Sequence, residues 1–536
     1  MKSHEYLSRT NRRGFLRTAA CAALGTAGLG NCLRDLHFIN AALAQGPFTD
    51  YKALVCIFLA GGNDANNMII PTISAEWDSY ASVRTPVLAI PNADGSGATA
   101  QAISPLNSDG HGYGMHPAMY ELAKMFNQSA GFNDLGKVAV AFNVGPLVYP
   151  LTKALYNSNS VAKPPQLFSH ADQVTHWQTS LPDQPPATGW GGRMADLLHS
   201  YNPLNGSLDV LSTCITIAGA NTFEVGSGVQ QYSVGTTGVV ALSNPSNPSS
   251  ATAARNAALK AILAGDKTVP NLFTSNYATA LDNTIATGAA LSAGLTGSQM
   301  ATYWSTVSNW SKTGTAHQVV TPNGGSTFTS NLMQQLKMVA QIIEAGFRSA
   351  GTNNGIGMKR QIFFVQIGGY DTHTSQTTNA GATTTNNAAV ILGSHANLLA
   401  EVSQSVWAFQ KAMKQIGLTY NKPDFINQVT TFTASDFGRT FPGNGLGSDH
   451  GWGNHQLIVG GAVDGQKTFG TFPVLTVGGP DDTSTGRWIP TTSVDQYAAT
   501  LARWLGVTKS NMATVFPNLS RFAGDYDTGY LKFMPV

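Results

Sequence analysis

Acids and histidines recur in this chain where short apolar runs end. Asp64 follows the run Ala53–Ala60, Asp371 and His373 follow Gln361–Ile367, and Asp436 follows Gln428–Ala434. The glycine-rich stretch Ser448-Asp449-His450-Gly451-Trp452-Gly453-Asn454-His455 comes shortly after. Carboxylate and imidazole together suit a hard or borderline divalent ion such as Zn, Mn, Mg or Ca. The spacing Asp371-Thr372-His373 puts two donors on one side of an extended segment. Glycines around Asp449, His450 and His455 let that loop bend around an ion. Taken singly, an Asp after a strand is most often a cap or turn former, and a His in a glycine-rich loop is an ordinary surface residue. Charged residues, however, make up only 11% of the chain, against about 25% in an average soluble domain. Acids repeated at strand ends in so sparingly charged a chain point to a site.

The elements that would position these residues are marked by apolar patterning. Ala53–Ala60 is wholly apolar and bounded by Gly61-Gly62, the pattern of a strand buried on both faces. Val138–Val144, Gln361–Ile367, Gln428–Ala434, Gln456–Gly460 and Val474–Val477 are predicted as further strands. Helices are predicted over Ala118–Phe126, Thr329–Ala350, Ala388–Ile416 and Val494–Leu505; the second carries Leu332, Met333, Leu336, Val339, Ile342 and Ile343 at helical spacing. Strand–helix alternation predicts an α/β fold, a sandwich with a mainly parallel sheet. In such sheets ligands bind beyond the carboxyl ends of the strands. The stretch 206–323 differs: after Ser243-Asn244-Pro245-Ser246-Asn247-Pro248 it is Ala/Thr/Ser-rich, and it is expected to be a helical insertion or cap within a domain spanning 45–536.

Residues 1–44 have the features of an export signal. Arg12-Arg13 with Phe15 and Leu16, an Ala/Gly-rich run and Ala42-Leu43-Ala44 combine a charged start, a modest apolar stretch and a small-residue cleavage site. The segment holds six of the 31 basic and two of the 29 acidic residues, so the formal net charge of +2 becomes −2 beyond it. No basic excess remains for nucleic-acid binding. No later apolar run approaches the roughly 18 residues of a membrane span, and the expected location after cleavage near Ala44 is periplasmic or secreted. Of the four cysteines, Cys56 and Cys214 remain after cleavage and are expected as free thiols rather than a disulfide. Neither a Gly-x-Ser-x-Gly elbow nor a His-Glu-x-x-His helix occurs, so the common serine-hydrolase and metalloprotease signatures are absent.

Eight segments, Ile57–Asp64, Met115–Ala118, Phe168–Gln173, Gly189–Arg193, Gly369–His373, Ser435–Thr440, Gly447–Gly451 and Val494–Ala498, together resemble a twin-arginine-exported family, domain of unknown function 1501. That family is similar to the alkaline phosphatase and sulfatase superfamily. The resemblance implies an α/β/α sandwich, export by the twin-arginine machinery, one or two divalent metals, and in-line attack on a phosphoryl or sulfuryl centre. By position it implies Asp64 as a first-strand ligand, Asp371 and His373 as the acid–histidine pair of one metal, Asp436 as the acid of another, and His455 or His450 as the last histidine, with Asp449 beside it. Ser169 falls where the nucleophile is expected, and Arg439 or Arg193 would bind a non-bridging oxygen. His170 is a further candidate metal ligand, and His116 and His176 are candidates to complete the shell. The sequence departs from the superfamily in having Phe437 directly after Asp436, where a His is usual, so that Asp449-His450 replaces it or the second metal site is altered. The sulfatase motif of Cys or Ser followed by x-Pro-x-Arg is absent. Two functions are therefore expected: hydrolysis of a small-molecule or polymer phosphate or sulfate ester, or a non-catalytic binding or surface-assembly role that keeps the fold with a structural metal.

Overall fold

The computed structural model describes residues 48–93, 98–202, 211–239, 249–306, 317–322, 325–349, 354–379, 387–522 and 530–535. The chain divides into Met1–Pro47 and Phe48–Val536. The expected signal over 1–44 and the Ser243–Pro248 segment lie outside the described residues; everything below concerns the second unit.

Its centre is a nine-stranded sheet. In chain order the strands are β1 (Lys52–Leu59), β2 (Lys137–Gly145), β3 (Cys214–Thr216), β4 (Tyr232–Ser233), β5 (Arg360–Ile367), β6 (Val429–Ser435), β7 (Asn454–Gly460), β8 (Lys467–Phe469) and β9 (Thr492–Ser493). The spatial order is β8-β2-β7-β6-β1-β5-β3-β4, with β9 also on β2. All pairs are parallel except the two made by β7. The protein is thus mixed α/β with a large, mostly parallel central sheet.

The alternation within β1 explains why helices cover both faces of the sheet. Ala53, Val55, Ile57 and Leu59 join one apolar cluster with Leu336, Val339 and Ile343. Those three belong to the helix Asn331–Phe347, which packs on Ser394–Thr419. On the other side Phe58 meets Phe364, and the cluster continues through Phe223, Trp190, Phe432 and Tyr497. Trp190 and Tyr497 come from the helices Trp190–Leu198 and Val494–Leu505. A strand apolar on both faces is stable only when both are covered.

Several expectations are revised. Val474–Val477 is not a strand: both valines are exposed, and the Val474 N–H donates to Asp481 Oδ2 at 2.8 Å instead of to a ladder. Short β8 and β9 take up places on β2. The helix expected over Ala388–Ile416 is two, Asn387–Val390 and Ser394–Thr419. They are split at Gly393, which has φ +117° and where a Cβ would lie 2.6 Å from Thr377 Cα, so no side chain is admitted. The stretch 206–323 is not wholly an insertion, since Cys214–Thr216 and Tyr232–Ser233 are strands of the central sheet. The helices Ala251–Asp266, Leu272–Thr296 and Gln299–Thr306 follow, the latter two against Asn331–Phe347. Cys56 and Cys214 are buried and unbonded. Strand β5 lies between theirs, so two spacings of about 4.8 Å each exceed the roughly 7 Å Cα span of a disulfide.

Candidate functional site

Leu59 stands in register with Ile367 on one side and Ser435 on the other. The loops leaving β1, β5 and β6 therefore emerge side by side. Because β7 runs the opposite way, the segment entering it reaches the same edge, where Arg439 and His450 form a backbone bridge. The packing there is tight. Gly61 has φ +115°, and a Cβ on it would lie 2.5 Å from the Asp371 nitrogen; a Cβ on Gly62 would lie 2.4 Å from the Phe437 ring.

Asp371 is the focus of this edge. Its Oδ1 lies 3.1 Å from His373 Nε2, 3.4 Å from His450 Nε2 and 3.6 Å from His170 Nε2. His450 Nε2 is 3.1 Å from His170 Nε2 and 2.9 Å from His373 Nε2. The ligand atoms of His170, Asp371 and His450 all lie within 4.8 Å of one another. In a tetrahedral zinc site with Zn–N bonds of about 2.0–2.1 Å, ligand atoms sit about 3.3 Å apart, and the separations here straddle that value.

Each imidazole is oriented through its other nitrogen. His170 Nδ1 donates to Asp436 Oδ2 at 2.8 Å, His373 Nδ1 to Asp449 Oδ1 at 3.0 Å, and His450 Nδ1 to the Phe168 carbonyl at 2.7 Å. These acceptors assign the tautomer: with Nδ1 protonated, the neutral ring presents a lone pair at Nε2. Three such lone pairs lie around one carboxylate oxygen, an arrangement a cation relieves. Carboxylate or carbonyl partners behind metal-facing histidines are the usual support of such sites. The Phe168 carbonyl is aimed by a φ of +73°, a conformation that costs a non-glycine residue about 1–3 kcal/mol.

The electrostatics agree with these roles. Hydrogen bonding to Asp436 raises the pKa of His170 above the ordinary imidazole value, against an opposing effect of partial burial. Burial lowers that of His450, with the Phe168 carbonyl acting the other way. Burial would raise Asp371, but the Arg439 hydrogen bond and charge outweigh it and hold the carboxyl below its ordinary range. Asp449 is likewise held low against burial, by Asn444 and His373.

The other expected residues lie elsewhere or act differently. Asp436 and Asp449 sit behind the histidines rather than beside the converging Nε2 atoms; Asp436 Oδ1 also accepts the Gly61 N–H at 3.1 Å. Asp64 is fully buried and paired with Arg84 and Gln376, leaving Oδ1 without a partner. Burial would raise its pKa, but Arg84 brings it below the ordinary value. His455 is inside the sheet, its Nδ1 accepting the Asn143 N–H at 3.1 Å between the Phe142 and Phe472 rings; burial lowers its pKa to about 3. Arg439 lies beneath Asp371, donating to it at 2.9 Å and to the Gly61 and Ser448 carbonyls. Arg193 donates to the Val515, Thr188 and Thr179 carbonyls, well inside the helical layer. His116 accepts the Ala118 N–H at the start of a turn, and His176 contacts Gln173. Ser169 precedes the helix His170–Thr179, and its hydroxyl donates to Asp172 Oδ2 at 2.6 Å.

His170, which the sequence offers only as a further candidate ligand after Ser169, is a central member of the group. The buried Phe437 ring lies 4.7 Å from both the His170 and His450 rings and forms an apolar wall beside them. Arg84, which neutralises Asp64, was not signalled at all, because it lies in mid-helix 20 residues further on.

Among the described residues no helix is long and apolar enough to cross a membrane. A search of curated proteins yields no significant match. A family model, by contrast, matches residues 51–512, spanning all of the strand-end loops described above. The chain belongs to the family described as protein of unknown function, DUF1501.

Proposed function

We propose that this protein is an exported, metal-dependent hydrolase of phosphate or sulfate esters, with an alkaline phosphatase-like sandwich. Export by the twin-arginine machinery and cleavage near Ala44 would place it in the periplasm or outside the cell. One observation carries the proposal: three imidazoles, each anchored at Nδ1, turn Nε2 toward one oxygen of Asp371. His170, His450 and Asp371, with His373 beside them, would hold one divalent ion. When bound, such an ion polarises an ester oxygen and neutralises charge that develops on the transferring group. Asp436, Asp449 and the Phe168 carbonyl keep the rings in the receiving tautomer. Arg439 offsets the charge of Asp371 from below. Ser169 is the proposed nucleophile; its hydroxyl already donates to a carboxylate, Asp172, that can accept the proton as the oxygen attacks.

The test begins with metal content of protein purified from the periplasm, followed by turnover of phosphate monoesters, phosphate diesters and sulfate esters. About one equivalent of metal and hydrolysis lost in Ser169→Ala are expected. Metal-replete protein inactive across all three classes would overturn the hydrolase assignment. A non-catalytic binding or assembly role has its own support in Phe437, which occupies the position of a ligand usual in catalytic relatives of the superfamily. In that case Ser169→Ala leaves the cellular phenotype intact, while Asp371→Ala destroys it.

A further inference from the structure

We infer that Arg487 is the anion-binding residue of this site and that the protein's ligand carries an anionic oxyanion group. The inference rests on the metal site proposed above. The two arginines expected for this role are both engaged: Arg439 is buried under Asp371, and Arg193 is bound to three backbone carbonyls. Arg487 is different. Its Nε donates to the His450 carbonyl at 2.8 Å, and its guanidinium stacks 4.3 Å over the Phe168 ring. Phe168 is the residue whose carbonyl holds His450 Nδ1, so Arg487 is tied to the site through both partners of that bond. Neither Nη nitrogen has a protein acceptor, and no carboxylate pairs with the group, among the described residues.

The loop that carries Arg487 is built to hold it. Asp482 is fully buried and accepts the N–H groups of Gly478, Ser484, Gly486 and Arg487 itself. Lys153 pins the same loop through the Gly478 and Gly479 carbonyls. A guanidinium fixed at Nε, with both Nη groups free, presents the planar fork that matches two oxygens of a phosphate, sulfate or carboxylate. Charge balance points the same way. A divalent ion together with Arg439 offsets Asp371, Asp436 and Asp449, which leaves the Arg487 charge for the ligand.

Inorganic phosphate and inorganic sulfate, titrated calorimetrically into metal-loaded full-length mature protein, are the probes. The wild-type protein is expected to bind at least one of them. Arg487→Ala should weaken that binding about ten- to hundredfold, the span of hydrogen bonds to a charged group, with metal content unchanged. Arg487→Lys should recover part of the loss, since it restores charge without the fork. Because Arg487→Ala also removes the Phe168 stack, its metal content and melting temperature are read alongside, and Arg487→Gln supplies a variant that keeps most of the side chain. Equal affinity in wild type and in the folded Ala and Gln variants overturns the inference, as does failure of the wild-type protein to bind either anion. If anions bind through Arg487 but no ester is hydrolysed, the hydrolase proposal fails and the anion site stands.

Discussion

Asp64 and Asp371 close the same Gly-Gly-x-Asp sequence where the chain leaves neighbouring strands, Gly61-Gly62-Asn63-Asp64 after β1 and Gly368-Gly369-Tyr370-Asp371 after β5. Their environments are opposite. Asp64 is fully buried against Arg84 and Gln376, whereas Asp371 keeps 48% of its side-chain surface exposed and collects His170, His373, His450 and Arg439 on a single oxygen. The Gly-Gly-x-Asp segment delivers a carboxylate to the carboxyl edge of the sheet in both cases. The neighbouring elements decide its use. The helix Ser74–Leu88 brings Arg84 to Asp64, while loops and the first residue of the helix His170–Thr179 surround Asp371. One acid becomes part of the scaffold and the other part of the candidate site.

The contrast breaks most sharply at Asp64. Asp64→Ala leaves the Arg84 guanidinium buried and unpaired, and should destabilise the fold by about 3–5 kcal/mol, read by urea denaturation. Metal bound per folded molecule should not change; loss of metal with normal stability would make Asp64 a ligand after all.

A smaller effect separates the facing groups from those behind them. Asp436→Asn or Asp449→Asn should weaken metal affinity about 10–100-fold, and His450→Ala should weaken it further. Competition with a chromogenic chelator measures all three, and equal losses would put the carboxylates among the ligands.

The smallest expected effect is a shift with pH. Asp436 raises the pKa of His170, and a proton at Nε2 competes with a metal there. Affinity should therefore fall as pH drops through that raised value, and Asp436→Asn should move the fall to lower pH. The metal-free fold behaves in the corresponding sense: stabilisation from the protonated His170–Asp436 pair is full below the ordinary imidazole pKa and disappears as pH rises through the raised one. A melting-temperature profile that does not change in Asp436→Asn would count against the pairing.

Much of the scaffold was legible because buried parallel strands leave continuous apolar runs. β1, β5 and β6 lie within a residue of the runs at Ala53–Ala60, Gln361–Ile367 and Gln428–Ala434, and Val494–Leu505 is a helix with a Ser493–Gln496 capping box. The strands of two or three residues at the margins, β3, β4, β8 and β9, were not legible. Such strands exist because a partner offers hydrogen bonds, not because their composition demands them. Val474–Val477 shows the converse, an apolar run with no partner to accept it.

The sequence supplies the donors and their delivery: acids and imidazoles just past strands that have to be buried, on loops that glycine allows to pass close together. It says nothing of which nitrogen faces which oxygen. That is decided by contacts across the fold, between His170 and Asp436 (266 residues apart), His450 and Phe168 (282 apart) and His373 and Asp449 (76 apart). An imidazole is nearly symmetric in shape but has one proton to place, and only a partner at Nδ1 settles where it goes. Chain folding brings that partner, so the distinction between a residue that faces the site and one that stands behind it belongs to the tertiary structure.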